Sequence, residues 1–264
     1  MGGLLRVSMN DSVKTRAKTT ETSLEIVDTL RQVDGADLEE LSEYLGIATS
    51  TVHRHLVTLQ ERGYVVQEDG EYRIGLMFLT VGGYAQRNWD AYPSIKSTVD
   101  DLATDTGERT QFIVNENGER VYLYTSVGQS AVETGAQNGK RGPLHCSAAG
   151  KAILAAYPEK RVHEILDRKG LPKTGKNTIT DESELFGRLE EIRERGYAFN
   201  RQETTNGVHA VGAAVTDSDD HVLGGLSVSG PAHRLKGDVL MEELPQQLLG
   251  AVNELELHIQ HSVR

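Results

Sequence analysis

The chain has 264 residues, enough for two domains, and its 38% apolar content supports real cores without a uniformly apolar run of membrane-spanning length. A single cysteine, Cys146, excludes an internal disulfide framework and fits a reducing cytoplasm, and no apolar segment follows a basic start as in a signal peptide. The formal net charge of −11 argues against a partner made of phosphates, and the N-terminal part itself carries more Asp and Glu than Lys and Arg.

Residues 1–18 are polar, with Lys14, Arg16 and Lys18 at nearly alternate positions. They read as a frayed start or as a basic arm that reaches a DNA groove. The spacing over 19–34 predicts a first helix, with Thr20 or Thr22 to cap it and Leu24, Val27, Leu30 and Val33 along one side. Residues 37–46 predict a short amphipathic helix on Leu38, Leu41 and Leu45, closed by Gly46 in a left-handed cap, with Ile47 plugging the turn. A second helix over 49–62 has Val52, Leu56 and Leu59 inside and Ser50, Thr51, His53, Arg54 and Thr58 outside. Strand-like runs at 64–67 and 71–74 flank Asp69-Gly70, a favoured two-residue hairpin turn. Helix, turn, helix and hairpin in that order make a winged helix-turn-helix. The competing reading, a helical hairpin buried in a core, leaves the polar face of the second helix unexplained. On the DNA-binding reading, Thr49, Ser50, Thr51, His53 and Arg54 meet base edges or phosphates, and Tyr72 and Arg73 of the wing touch the backbone.

The acidic charge then has two explanations: the motif does not read DNA, or the protein works in very high salt. Arginine outnumbers lysine, Asp and Glu are plentiful, and Phe and Trp are scarce, as in salt-adapted cytoplasmic proteins. At molar salt the screening length is about 3 Å, so a like-charged field does little beyond contact.

Residues 76–89 predict a linking helix that leaves Leu76, Leu79, Gly83 and Tyr84 for a partner, a natural seam for a dimer that presents two readers to two half-sites. Pro93 interrupts the next segment, which places a domain boundary near 88–93. The divisions expected are an arm over 1–18, a reader over 19–75, a linker helix over 76–92 and a second domain over 93–264. In that domain a helix over 95–106 precedes strands at 110–115 and 120–126 joined by Asn117-Gly118, and a short strand at 132–135. Helices follow at 145–157, at 159–169 and from the capping pattern at Thr180 to 195. A return strand starts at 196–199, strands at 208–216 and 222–229 surround an acidic turn, and 244–260 is a last amphipathic helix. This order predicts an α+β fold, an antiparallel sheet with helices on it.

The motifs S-T-V-H-R-H-L-V-T-L-Q-E-R-G-Y-V at 50–65, P-L-H-C-S-A-A-G-K-A-I-L-A at 143–155, T-I-T-D at 178–181, I-R-E-R-G-Y-A at 192–198, E-T-T-N-G-V at 203–208 and L-S-V-S-G-P-A-H-R-L at 226–235 occur in order. Together they resemble the IclR family of transcriptional regulators over nearly the whole chain. The resemblance implies a winged-helix reader, a linker helix and a GAF-like effector domain. It also implies binding of double-stranded operator DNA as a homodimer or dimer of dimers, and a small-molecule effector, often a carboxylate or sugar-derived acid. It further implies an effector site. The backbone N–H groups of Ser147, Ala148 and Ala149 would receive an anion, as free N–H groups at a helix N-terminus do. Asn200 would face the ligand where some relatives have an acid, and Ser227 and Ser229 would share one face of a strand. The chain has Ala210 and Ala214 where the family often has Cys and Pro, which leaves the ligand's identity open.

No catalytic constellation or cofactor motif stands out. The loop at 135–141 is one residue short of a phosphate loop and has Arg where the metal-binding hydroxyl should be. Cys146 beside His145 points elsewhere on a helix, and the His pairs 53/55 and 258/261 lack a ligand set for a metal. The expectation is therefore a cytoplasmic, non-enzymatic, metabolite-controlled regulator of a catabolic operon, without metal, cofactor or membrane partner. The alternatives are a small-molecule-binding enzyme whose N-terminal domain serves only association, and a ligand-independent architectural DNA binder.

Overall fold

A computed structural model describes residues 16–131 and 136–262. The arm up to residue 15 and the strand expected at 132–135 lie outside the described residues. The chain divides into two compact units, residues 1–85 and 86–264.

The first unit comprises α1 (Lys18–Val33), α2 (Leu38–Leu45), α3 (Thr49–Glu61) and a hairpin of β1 (Val65–Glu68) and β2 (Glu71–Ile74). Asp37 opens α2 with a capping box: its carboxylate accepts from the N–H groups of Glu39 and Glu40, and Glu40 accepts from the Asp37 N–H. Gly46 closes α2 at φ 63°, and the Ser42 hydroxyl donates to the Ile47 carbonyl at 2.7 Å, which holds the tight turn into α3. Asp69 and Gly70 both have positive φ, as a twist-matched two-residue turn requires.

Three expectations in this unit are corrected. No side chain caps α1; the Thr22 hydroxyl turns back to the Lys18 carbonyl. The buried stripe of α1 is Ile26 and Leu30, whereas Leu24, two residues or about 200° around the helix from Ile26, is 57% exposed, and Val33 is exposed too. Tyr72 is only 5% exposed and belongs to the core with Leu41, Val52, Leu56 and Val65. Strand alternation puts Tyr72 and Ile74 inward and Glu71 and Arg73 outward, and Ala36 pairs with the Tyr72 backbone.

α4 (Met77–Arg87) has no buried residue. In the second unit α5 (Tyr92–Thr106) carries Pro93 in its first turn, where a missing N–H is harmless. Pro93 starts this helix and does not interrupt it. Next come β3 (Arg109–Glu116), β4 (Glu119–Val127) and the edge strand β5 (Arg141–Pro143). They are followed by α6 (Ala148–Ala156), α7 (Glu159–Lys169), α8 (Glu182–Arg195), β6 (Ala198–Arg201), β7 (Val208–Thr216), β8 (Val222–Pro231), a π-helical turn (Val239–Glu243) and α9 (Leu244–Ser262). α6 begins later than expected because Ser147 is its cap, and Asp181 rather than Thr180 caps α8.

The second unit is α+β. Its six strands lie in the order β5-β4-β3-β8-β7-β6, every neighbouring pair antiparallel. Alternation along the strands serves two cores. Phe112, Val114, Val211, Val215 and Val228 pack with α5 and α9, while Ile113 and Ala198 pack with α6, α7 and α8. Among the described residues no helix is long and apolar enough to cross a membrane.

Candidate functional site

In the first unit, α3 presents Thr49, Ser50, His53 and Arg54 to solvent, with Thr51 half-buried. The Thr49 hydroxyl donates to the Ser42 hydroxyl at 3.1 Å and so belongs to the turn. Ser23 and His55 Nδ1 meet at 2.7 Å and fasten α1 to α3, a contact the sequence did not suggest. Arg54 forms no ion pair among the described residues and lines a groove with Thr20, Ser23 and Thr58. On the wing, Arg73 is exposed but bonded to Glu71 at 2.9 Å, with Glu68 and Asp69 exposed nearby. An exposed pair of this kind is worth at most about 1 kcal/mol, so a competing anion can displace it. Tyr72, buried beneath, cannot touch a DNA backbone.

In the second unit the α6 face of the sheet and the start of α6 enclose a cavity of about 80 Å³. All seven residues the sequence suggested for an effector line it: Ser147, Ala148 and Ala149 at the helix start, Asn200 on β6, Ala210 on β7, and Ser227 and Ser229 on β8. Gly212 on β7 explains how α6 comes so close: a Cβ there would lie 2.3 Å from Ala149 N. The Ser147 hydroxyl accepts from Gly150 N–H at 3.2 Å, which fixes the first turn.

Two of the expected roles change. The Ser147 N–H already donates to the Leu144 carbonyl at 3.2 Å, so only the N–H groups of Ala148 and Ala149 remain to receive an anion. Asn200 is committed to the fold. Its amide donates to the Cys146 carbonyl at 3.0 Å and to Thr204 at 2.9 Å, and its oxygen accepts from Glu203 N–H at 2.9 Å. An ionised acid could not donate to the Cys146 carbonyl, so the amide here secures the loop before β7.

The sequence missed other parts of the lining. Gln111 of β3 pairs with Ser227 in register and spans both serines: its Nε2 donates to Ser227 Oγ at 3.1 Å and its Oε1 accepts from Ser229 Oγ at 3.2 Å. Arg120 and Tyr122 of β4 share the cavity face, and Lys140 stands exposed at its rim. Among the described residues no Asp or Glu lines the cavity. The Asn117-Gly118 turn and strand alternation could have put Arg120 and Tyr122 on one face, but not told which face.

His145 and Cys146 precede α6 and are both buried. Cys146 Sγ faces the Pro143 carbonyl and His145 Nε2 has no hydrogen-bond partner. Burial pushes the His145 imidazole below its usual range; the Pro172 carbonyl opposes this, and the nearby cations Lys151 and Arg120 add to it. The unfolded chain takes up this proton near the ordinary value of about 6.5, whereas the folded chain does so only at lower pH. His145 therefore contributes its full stability above that ordinary value and loses it as pH falls below it. The melting temperature of His145→Gln should fall less than that of the wild type between about pH 7.5 and 5.5. Equal falls would assign the acid sensitivity to other groups.

Asp217, Asp219 and His221 also come close together in an exposed turn. There the Asp217 carboxylate is occupied by the N–H groups of Asp219 and His221, each at 2.9 Å.

A winged helix and a sheet unit with a cation-lined cavity, carried on one chain, are the parts of a ligand-responsive transcriptional regulator. Residues 20–69 match the IclR helix-turn-helix domain and residues 85–257 match the bacterial transcriptional regulator IclR C-terminal domain. The chain belongs to the IclR family, which consists of transcriptional regulators and not enzymes. It is 30% identical over 255 residues to the probable HTH-type transcriptional regulator ArcR of Halobacterium salinarum, covering 95% of this chain and 97% of that protein. The crystal structure of Thermotoga maritima IclR superposes with a TM-score of 0.79 at 27% identity, over 92% of this chain and 98% of that one. An IclR homolog from Microbacterium hydrocarbonoxydans, solved in complex with 4-hydroxybenzoate, shares the fold with a TM-score of 0.76 at 23% identity, over 91% of this chain and 98% of that one.

Proposed function

We propose that the protein is a cytoplasmic, dimeric regulator of a catabolic operon in a salt-adapted organism, and that a small acid in the cavity controls its grip on operator DNA. The observation that carries the effector reading is the cavity's charge: Arg120, Lys140 and the free N–H groups of Ala148 and Ala149 surround a space that, among the described residues, no carboxylate lines. A helix N-terminus and cations in a partly dry site attract an anion. The 4-hydroxybenzoate held by the Microbacterium homolog is likewise an acid. The exposed apolar row on and before α4, with Leu76, Leu79 and Tyr84 81%, 72% and 69% exposed, supports the dimer seam. The acid can act only by binding one arrangement of the dimer better than another.

On the reader, Thr49, Ser50, Thr51, His53 and Arg54 of α3 are assigned to the major groove and its phosphates, and Arg73 to the backbone after release from Glu71. With an acidic wing, contact-range interactions in molar salt carry more of the affinity than long-range attraction does. Binding to DNA from the protein's own upstream region, measured in about molar potassium chloride, tests this. Arg54→Ala should weaken binding by about tenfold or more, in the range of roughly 1–3 kcal/mol, with an unchanged melting temperature. Undiminished binding would remove Arg54 from the reader.

A further inference from the structure

The cavity contains two anion receptors, and they lie on different walls. The first is the start of α6, whose free N–H groups at Ala148 and Ala149 sit over Gly212 of β7. The second is Arg120 on β4. Arg120 is 5% exposed, its Nε has no hydrogen-bond partner, and no carboxylate pairs with it among the described residues. Its guanidinium lies 5.2 Å from the Tyr122 ring centre and leans over Gly142 of the edge strand β5, where a Cβ would come within 3.0 Å of Nη2. Ala149 also lies over Gly225 of β8, and strand β3 separates β8 from β4. With strands about 4.8 Å apart, the two receptors stand on strands two spacings apart, more than the two oxygens of one carboxylate span.

The charges lead to the same conclusion. A helix N-terminus counts as roughly half a positive charge, and Arg120 adds a full one, buried and without a counter-ion among the described residues. A monoacid on the helix would leave the arginine buried and unmatched, which is costly in a poorly solvated site. We propose that the effector carries two anionic groups: a short dicarboxylate, one carboxylate on the N–H groups of Ala148 and Ala149 and the other in a charge-assisted pair with Arg120. The small cavity limits the spacer to a few carbons. The inference rests on the reading of this cavity as the effector site and narrows the class of acid.

Calorimetric titration of the full chain in about molar potassium chloride tests it with matched acids: malonate against propionate, succinate against butyrate, and glutarate against valerate. For at least one length the diacid should bind about tenfold or more tighter than its monoacid. Arg120→Gln should erase that advantage and leave monoacid affinity within about twofold, while Arg120→Lys should keep part of it. Gly142→Ala, which crowds the guanidinium without removing it, should weaken only the diacids. Equal affinity within every pair in the wild type overturns the proposal and leaves the cavity as a monoacid site. Equal loss of both acids in Arg120→Gln overturns it too, because one shared carboxylate then explains the arginine. Binding of none of the six acids rejects both the proposal and the acid-effector reading.

Discussion

Lys151→Met is expected to destabilise the second unit by about 3–5 kcal/mol, the cost of leaving a buried charge without its partner. Lys151 lies in α6 with its side chain 1% exposed, ion-paired to Glu203, whose side chain is 10% exposed. Burial pushes the Lys151 ammonium below its usual range, and the Glu203 carboxylate opposes this. The Arg201 N–H also donates to Glu203, and the Glu203 carbonyl accepts from Thr174 and Thr178. The pair therefore joins the helix that bounds the cavity to the loop before β7. Adding Glu203→Gln to Lys151→Met should recover much of the loss, because a neutral amide is cheaper to bury than an unmatched carboxylate. Denaturation of the full chain in low and in molar salt measures it. A loss under about 1 kcal/mol, or one that vanishes in molar salt, would mean that water reaches the pair.

Gly212→Ala should remove acid binding and cost about 3 kcal/mol. The new methyl group would stand 2.3 Å from Ala149 N and 2.7 Å from the Ala148 carbonyl carbon. Both are backbone atoms, so no flexible side chain can give way, and overpacking of that kind costs about 1–3 kcal/mol or more. The first turn of α6 must rise from the sheet, and the two N–H groups move with it. Gly187→Ala on α8 is the control: nothing lies within 4 Å of that position, and the same change in an open helix stabilises by about 0.5–1 kcal/mol. Wild-type acid affinity in Gly212→Ala would show that the α6 N-terminus does not hold the ligand.

Much of the reader was legible because local rules govern it. The capping residues of α2, Gly46, and the Asp69-Gly70 turn act over three or four residues, and the hairpin register follows from the turn. Tyr72 was misassigned because strand alternation says that Tyr72 and Arg73 face opposite ways but not which of them faces inward. That was decided by Ala36, which pairs with Tyr72 from a distant part of the chain. α1 failed similarly. Several apolar stripes can be drawn on it, and only packing against the other helices selects Ile26 and Leu30 over Leu24 and Val33.

In the second unit the family-like motifs named seven cavity residues by position, and the fold brings all seven to one space. Gln111, Arg120 and Lys140 lie outside the motifs, and the motifs that contain Lys151 and Glu203 did not disclose that the two pair. A lone Arg after a hairpin turn or a Lys in a helix is ordinarily solvated. By itself, the sequence determined the elements, most of their turns and the α+β class, because periodicity and backbone preference act between near neighbours. Tertiary structure alone decided that Arg120 is buried without a counter-ion among the described residues, that Gln111 fastens both serines, and that Asn200 is bound to the Cys146 carbonyl. Burial and polar pairing are properties of atoms brought together from distant positions, such as Gln111 and Ser229, which are 118 residues apart.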